Sequence, residues 1–287
     1  MKILVTGSEG MLGRALLARL ADKHQAAGVD LPDGDLTLPA VAGALLQRHR
    51  PDWVVHCAAW TNVDGAESAR EKAMAANAGA TGNLAAACAA GGAGLTLIST
   101  DYVFNGRTGA GYDEAGERDP VNHYGLTKAR AEAAVERLAT PWQIVRTSWL
   151  FGDGKVNFIK TMRRLLGERE ALRVVSDQMG CPTYADDLAA VLEFLVTGGH
   201  LGVYHATNTG VTTWFDLARE VARCLGTDPA RIVACASSEF PTPAVRPANS
   251  VLRSRRLEAV GCPDRPTWQD AVARYVARLE AGAVVFP

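Results

Sequence analysis

The stretch HYGLTKAR places Tyr124 four residues ahead of Lys128. On a helix those positions share a face, so a phenol would stand beside an ammonium. A free tyrosine titrates at about 10. A positive charge about 4 Å away, at an effective dielectric of about 20, is worth roughly 4 kcal/mol, or about 3 pKa units. The pair therefore predicts a phenol titrating at about 7 and suited to proton transfer. A surface tyrosine and lysine on an amphipathic helix would show the same spacing, so context has to decide. Upstream, LTLISTDYVFNG closes an apolar run with Ser99, Thr100 and Asp101. If that run is a strand, its carboxyl end is where open α/β sheets hold their chemistry. Thr100 or Ser99 can there donate to a substrate carbonyl.

A second constellation lies in ILVTGSEGMLGRAL, with glycines at Gly7, Gly10 and Gly13. It follows a strand-like run and opens a helix, the context a dinucleotide fingerprint requires. Gly7 lets the chain turn, Gly10 lets a pyrophosphate approach the backbone, and Gly13 allows close helix–strand packing. The helix amino terminus then offers free N–H groups to phosphates. An ordinary βα turn is the competing reading. Asp30 ends the second strand, where a carboxylate bonds an adenine ribose 2′-hydroxyl. The same carboxylate repels a 2′-phosphate and so favours NADH over NADPH, with Arg14 nearby to soften the preference. Asp35 and Leu36, on the following loop, would flank the adenine. A strand-end turn residue is the alternative for Asp30.

These residues need elements to position them. KILVT, AAGVD, DWVVHCAAW, LTLIST and QIVRTSWL read as strands. Residues 11–21, AVAGALLQRHR, roughly residues 68–90 and YGLTKARAEAAVERL read as helices. Apolar strands separated by helices mean βαβ units and a parallel sheet covered on both faces. The expected fold class is α/β: a Rossmann-like doubly wound parallel sheet with a smaller α/β substrate-binding lobe. Residues 1–150 are expected to form the dinucleotide-binding domain, with a weak sixth strand among them and part of 185–210 completing it. Residues 151–287 form most of the substrate-binding lobe, interleaved with the first. There NFIKTMRRLLG, DDLAAVLEFLV and TTWFDLAREVARCLG read as helices, and LRVV and GVYHATN as short strands. Thr212 or Thr213 caps the last of those helices, with Asp216 at the positive end of its dipole. The proline-rich run FPTPAVRPANS precedes a terminal helix from about Trp268. Two lobes imply a cleft, where ligands usually bind.

The chain's 287 residues, 48% hydrophobic and 21% charged, suffice for one large globular core or two smaller ones. A net charge of −1 supplies no basic field for nucleic acid or membrane. The one dense basic run, Arg253–Ser254–Arg255–Arg256, reads as a solvated face. The 6 cysteines are scattered with no CxxC pair, and no HExxH occurs. The expectation is no zinc site, no disulfide framework and a reducing compartment. Met1 and Lys2 lead directly into a strand, unlike a secretory leader, and no apolar run approaches bilayer length. A soluble, cytoplasmic protein is expected.

Together the glycine loop, CAA at the third strand, Ser/Thr at the fourth and YxxxK resemble the extended short-chain dehydrogenase/reductase superfamily. Its T-G-x-x-G-x-x-G loop has the spacing found here. A closer resemblance covers nearly the whole chain. STDYVFNG, RTSWLFG, NFIKTM, DQMGCPTYADDLA, TTWFDLA and PTPAVRPANS look like the dTDP-4-dehydrorhamnose reductase family, and run in that family's order. The resemblance implies the last step of dTDP-L-rhamnose synthesis, in which NADH or NADPH reduces the 4-keto group of a dTDP-4-keto-6-deoxysugar. It implies Tyr124 as proton donor, and Lys128 as the group that lowers its pKa and binds the nicotinamide ribose. Thr100 would polarise the C4 carbonyl, with Asp101 beside it on the sugar. Gly10, Met11 and Leu12 would face the pyrophosphate, Asp30, Asp35 and Leu36 the adenosine, and Ala59, Trp60 and Thr61 the nicotinamide region. Trp149, on its own a core aromatic, would line the sugar pocket. Arg246 and Asn249 would meet the nucleotide diphosphate, where the arginine fork matches phosphate oxygens; bracing their loop is an equal alternative.

Some members of the family form a magnesium-bridged dimer through glutamates. Arg14–Ala15 occupy the place of one of them on the first helix. This argues against Mg2+ and leaves monomer or homodimer open. Two other functions fit the pattern. One is a sibling dTDP-4-keto-6-deoxysugar reductase of an antibiotic pathway. The other is a non-catalytic NAD(P)-binding regulatory subunit, as in methionine adenosyltransferase, against which the intact Thr100, Tyr124 and Lys128 argue.

Overall fold

The computed structural model describes residues 1–263 and 265–282. Strands β1 (Lys2–Thr6), β2 (Gln25–Val29), β3 (Trp53–His56), β4 (Gly94–Thr100) and β5 (Trp142–Thr147) join β10 (Gly202–His205) in one sheet. The order is β10-β5-β4-β3-β1-β2, and each neighbouring pair is parallel. The sixth strand therefore comes not from the first 150 residues but from Gly202–His205, within the 185–210 stretch expected to contribute. From β1 the chain winds outward to β2, then returns past β1 to β3 and beyond. That reversal makes a switch point between β1 and β3, where loops diverge and a ligand can enter.

The strands are apolar on both faces because both faces are covered. Ile3, Val5, Val55 and Val145 pack with Leu12, Leu16 and Leu20 of α1 (Met11–Leu20) and Leu188, Leu192 and Leu195 further along the chain. The alternate residues Leu4, Val54 and Ile144 pack on the opposite side against Leu45, Leu84, Ala131 and Val135. Those come from α2 (Pro39–His49), α5 (Ala80–Gly91) and α6 (His123–Val135). Period-two alternation thus serves two cores instead of one core and solvent. The helix expected over residues 68–90 runs from Arg70 to Gly91, widened but not interrupted by a π turn. α3 (Val63–Ser68) and α4 (Arg70–Met74) lead into a π turn at Ala75–Gly79 before α5. Such turns cluster at functional sites.

The second lobe has its own core. α7 (Phe158–Glu168), α9 (Trp214–Cys224) and α10 (Trp268–Glu280) enclose Phe151, Tyr184, Leu217, Val221, Val272 and Tyr275. Three two-stranded pieces complete it: β6 (Leu150–Phe151) with β9 (Thr183–Tyr184), β7 (Leu172–Val175) with β12 (Ile232–Cys235), and β8 (Met179–Gly180) with β11 (Thr212–Thr213). α8 (Ala185–Thr197) belongs to the main sheet's side, against α1. Thr213 caps α9 by accepting from the Asp216 N–H at 3.0 Å.

One buried ion pair ties α6 to the sheet. The Arg146 guanidinium of β5 donates to both carboxylate oxygens of Glu132 on α6, at 2.9 and 2.7 Å. Ser99 of β4 donates to the same carboxylate at 2.5 Å, and Arg118 reaches it at 3.1 Å. Glu132 is fully buried and Arg146 nearly so. Removing one partner leaves a buried charge uncompensated. Glu132→Ala is expected to cost roughly 3–5 kcal/mol, seen in urea denaturation as a lower midpoint with an unchanged slope.

Candidate active site

A cleft of about 920 Å³ opens at the carboxyl ends of the strands. The glycine loop, the ends of β3 and β4, Tyr124 and Lys128 line it from the sheet side. Trp149, Lys155 and Trp214 line it from the second lobe. Of the residues singled out from the sequence, the glycines, Met11, Leu12, Asp30, Asp35, Leu36, Ala59, Trp60, Thr61, Thr100, Asp101, Tyr124, Lys128 and Trp149 all reach this cleft. Arg246 and Asn249 are not among its lining residues.

The loop's geometry fits a diphosphate. Gly7 has φ +69°, and a Cβ there would lie 2.5 Å from the Ala58 nitrogen. A Cβ on Gly13 would lie 2.2 Å from the Gly7 oxygen. Only glycine permits so close a turn of strand, loop and helix. Gly10 is the N-cap of α1 and offers no side-chain cap. The first N–H groups of α1 are thus left for a ligand in the cleft, at the positive end of the helix dipole. At the far end of β2, the Asp30 carboxylate accepts from the Glu9 and Leu31 N–H groups, each at 2.8 Å. A hydrogen bond from the Thr37 N–H holds the Asp35 carboxyl below the usual range.

Trp60 is fixed from behind by Asn77 of the π turn. The Trp60 N–H donates to Asn77 Oδ1 at 2.8 Å, and Asn77 Nδ2 donates to the Trp60 carbonyl at 3.1 Å and to Thr127 Oγ1 at 2.8 Å. Sequence reading missed Asn77. An asparagine inside an Ala-rich helical run carries no signal until the helix is seen to widen there.

The electrostatics of the Tyr–Lys pair differ from the spacing argument. Burial pushes the Tyr124 phenol up to about 12; the Thr100 hydroxyl pulls it down and the Asp101 carboxylate pushes it further up. Burial pulls Lys128 down to about 8, opposed by the Glu132 carboxylate and Cys57. The expected phenol at about 7 is therefore not found. Desolvation of the phenolate dominates, and the groups felt at the phenol are Thr100 and Asp101, with Lys128 not among them. Asp101 is 2% exposed, and burial raises its carboxyl to about 7 against the Ser250 and Thr100 hydroxyls. Thr100 Oγ1 donates to Asp101 Oδ1 at 2.9 Å.

Trp149 interrupts the run read as one strand, QIVRTSWL. It adopts φ +48°, in the left-handed region, between β5 and β6. Its ring stacks on Trp214 with centroids 3.7 Å apart and planes 9° off parallel. Phe158 packs on the outer side of Trp214. Trp214 was missed because the first residue of a capped helix reads as local chemistry, not as a partner for a distant tryptophan. Arg246 turns its fork on Asp64 of α3, with Nη2 donating to Oδ2 at 2.8 Å and Nη1 to Oδ1. Asn249 accepts from the Val251 N–H at 3.1 Å. In this arrangement both brace the proline-rich loop.

A doubly wound sheet with a glycine loop over a Tyr–Lys pair defines a class: the extended short-chain dehydrogenases/reductases. The family model described as RmlD substrate binding domain matches residues 1–281. A dTDP-4-dehydrorhamnose reductase of Streptomyces griseus is 46% identical over 284 residues, covering 96% of this chain and 93% of the relative. A dTDP-4-keto-6-deoxy-D-glucose reductase of Streptomyces niveus is 39% identical, covering 97% of each. The crystal structure of dTDP-4-dehydrorhamnose reductase from Bacillus anthracis in complex with NADP matches with a TM-score of 0.93 and 37% identity, covering 97% of this chain and 100% of that one. This chain belongs to the dTDP-4-dehydrorhamnose reductase family. Among the described residues no helix is long and apolar enough to cross a membrane.

The aromatic stack depends on Gly180, where a Cβ would lie 2.4 Å from Trp149 Cε2. Gly180→Ala is expected to displace Trp149 and uncouple the two indoles. Near-UV circular dichroism reads this as loss of the tryptophan-pair signal, with far-UV spectra unchanged.

Proposed function

We propose that this chain reduces the 4-keto group of dTDP-4-dehydrorhamnose (dTDP-4-dehydro-6-deoxy-L-mannose) to give dTDP-L-rhamnose, with NADH or NADPH as reductant. The observation that carries the reading is the convergence of Thr100, Tyr124 and Lys128 on one cleft beneath the glycine loop, in a chain of this family. Gly7, Gly10, Met11, Leu12 and Gly13 hold the cofactor diphosphate. Asp30, Asp35 and Leu36 hold its adenosine, and Ala59, Trp60, Thr61 and Lys128 its nicotinamide half. The bound nicotinamide supplies the hydride.

The side chains manage the proton. Tyr124 Oη gives its proton to the C4 oxygen as negative charge develops there. A phenol raised to about 12 stays protonated at neutral pH, which is the state a donor needs. The Lys128 ammonium stabilises the tyrosinate that remains. Thr100 Oγ1 swings from Asp101 to the same carbonyl oxygen, while Asp101 and Trp149 hold the sugar. Arg246 and Asn249 contribute to the substrate side through the loop they brace. A second reading rests on the S. niveus relative's name: the substrate is a sibling dTDP-4-keto-6-deoxysugar. NMR of the product separates the two by its C4 configuration. The free state of Cys57, Cys88, Cys181, Cys224, Cys235 and Cys262 suits the reducing cytoplasm.

The test is NAD(P)H oxidation in the presence of dTDP-keto sugar made enzymatically in the same tube. Absence of oxidation above background would defeat the proposal. Tyr124→Phe is expected to lower kcat by roughly 10² to 10⁴ with the fold intact. The pH profile should be limited on the alkaline side. Lys128 is charged below about 8 and neutral above it, so kcat falls as pH rises through that value. A rate still rising at pH about 9.5 would remove Lys128 from its assigned role.

A further inference from the structure

The end of the cleft assigned to adenosine is acidic, and an arginine beside it is paired with Glu9. Asp30, Asp35 and Glu9 line this end. Among the described residues the cations lining the cleft are Lys128 and Lys155. Lys128 sits in α6 beside Tyr124, and Lys155 follows Gly154, which lies against Met11 at the start of α1. Both therefore serve the nicotinamide and diphosphate portions. Arg14, one turn into α1, is linked to Asp30 through Glu9 and is not among the residues lining the cleft. Its Nε donates to the Glu9 carbonyl at 2.9 Å, and its Nη2 pairs with the Glu9 carboxylate. Glu9 in turn presents its N–H to Asp30 at 2.8 Å. One residue thus fixes the ribose-facing carboxylate and occupies the arginine that could answer a phosphate there.

We propose that Glu9 makes this protein selective for NADH over NADPH, by holding Arg14 away from the adenine ribose and keeping Asp30 aimed at it. The inference rests on the reading that the cleft takes a nicotinamide dinucleotide. A 2′-hydroxyl donates to the fixed Asp30 carboxylate. A 2′-phosphate brings close to two negative charges into a site lined by three carboxylates, with Arg14 already neutralised by its neighbour.

The test is direct binding, independent of sugar turnover. NADH and NADPH are each titrated into the wild-type protein by calorimetry, at low salt and at about 0.5 M salt. NADH is expected to bind at least tenfold more tightly at low salt, with the gap narrowing as salt screens the repulsion. Equal or tighter binding of NADPH overturns the proposal. Binding of neither overturns the dinucleotide reading itself, and this inference with it. Glu9→Gln should raise affinity for NADPH relative to NADH at least fivefold, and adding Arg14→Ala should cancel that gain. An unchanged ratio in Glu9→Gln overturns the role given to Glu9. Glu9 is exposed, so this variant is expected to fold.

Discussion

The site depends on charge buried along one face of α6. Tyr124, Lys128 and Glu132 follow one another at successive turns. Lys128 is 2% exposed and Glu132 is fully buried. A lone lysine so placed would shed its proton, because a desolvated ammonium is costly. Glu132 opposes that loss, and Glu132 is itself tolerable only because Arg146, Arg118 and Ser99 satisfy its oxygens. The chain of compensation runs from β4 and β5 through α6 to the cleft. It also fixes the helix: a carboxylate held by donors from two strands leaves α6 little freedom to slide or rotate. The position of the Tyr124 hydroxyl is thereby a consequence of an ion pair that never meets the substrate.

The second constraint is the seam between lobes. Trp149 leaves the last residues of the sheet region in a left-handed conformation that a tryptophan rarely adopts. Such strain persists only where surrounding structure over-determines it. Here the determinants are the Trp214 ring on one face, a glycine at position 180 beneath, and Phe158 behind Trp214. On the other side of the cleft, Arg246 and Asp64 join the proline-rich loop to α3. One junction is aromatic and the other ionic, and both are half-buried. Both tie residues of the second half of the chain to the walls of the cleft.

Much of this was legible in the sequence, and for physical reasons. Two-sided burial leaves continuous apolar strands, and an amphipathic helix leaves periodic ones, so the α/β class and the elements around Gly7–Gly13 and Tyr124–Lys128 could be read directly. The residues that meet in the cleft lie in loops at strand ends, which the alternation of strands and helices places on one edge. What could not be read depends on distance in space. The π turn at Asn77 is a local widening of an Ala-rich helix, invisible to propensity. The Trp149 break is imposed by a stack with Trp214, and no local pattern announces it. For Arg246 the sequence left a phosphate and the bracing of its loop as equal alternatives, because its ion-pair partner Asp64 comes from a helix far away in sequence. The pKa of Tyr124 failed for a related reason: spacing reports a neighbour's charge but says nothing of the water removed from both groups.

The two ends of the cleft consequently work by different physics. At the Tyr124 end burial moves Asp101 to about 7 and Lys128 to about 8. Groups with such values exchange protons close to neutrality, as a site that moves protons requires. Only a rigid, internally compensated surround permits this, and the Glu132 network supplies it. At the Asp30 end the carboxylates stay wet. There main-chain N–H groups orient the carboxylates of Asp30 and Asp35. The glycine loop joins the two regimes. Its turn is too tight for any side chain, so α1 begins at a fixed point between the two ends.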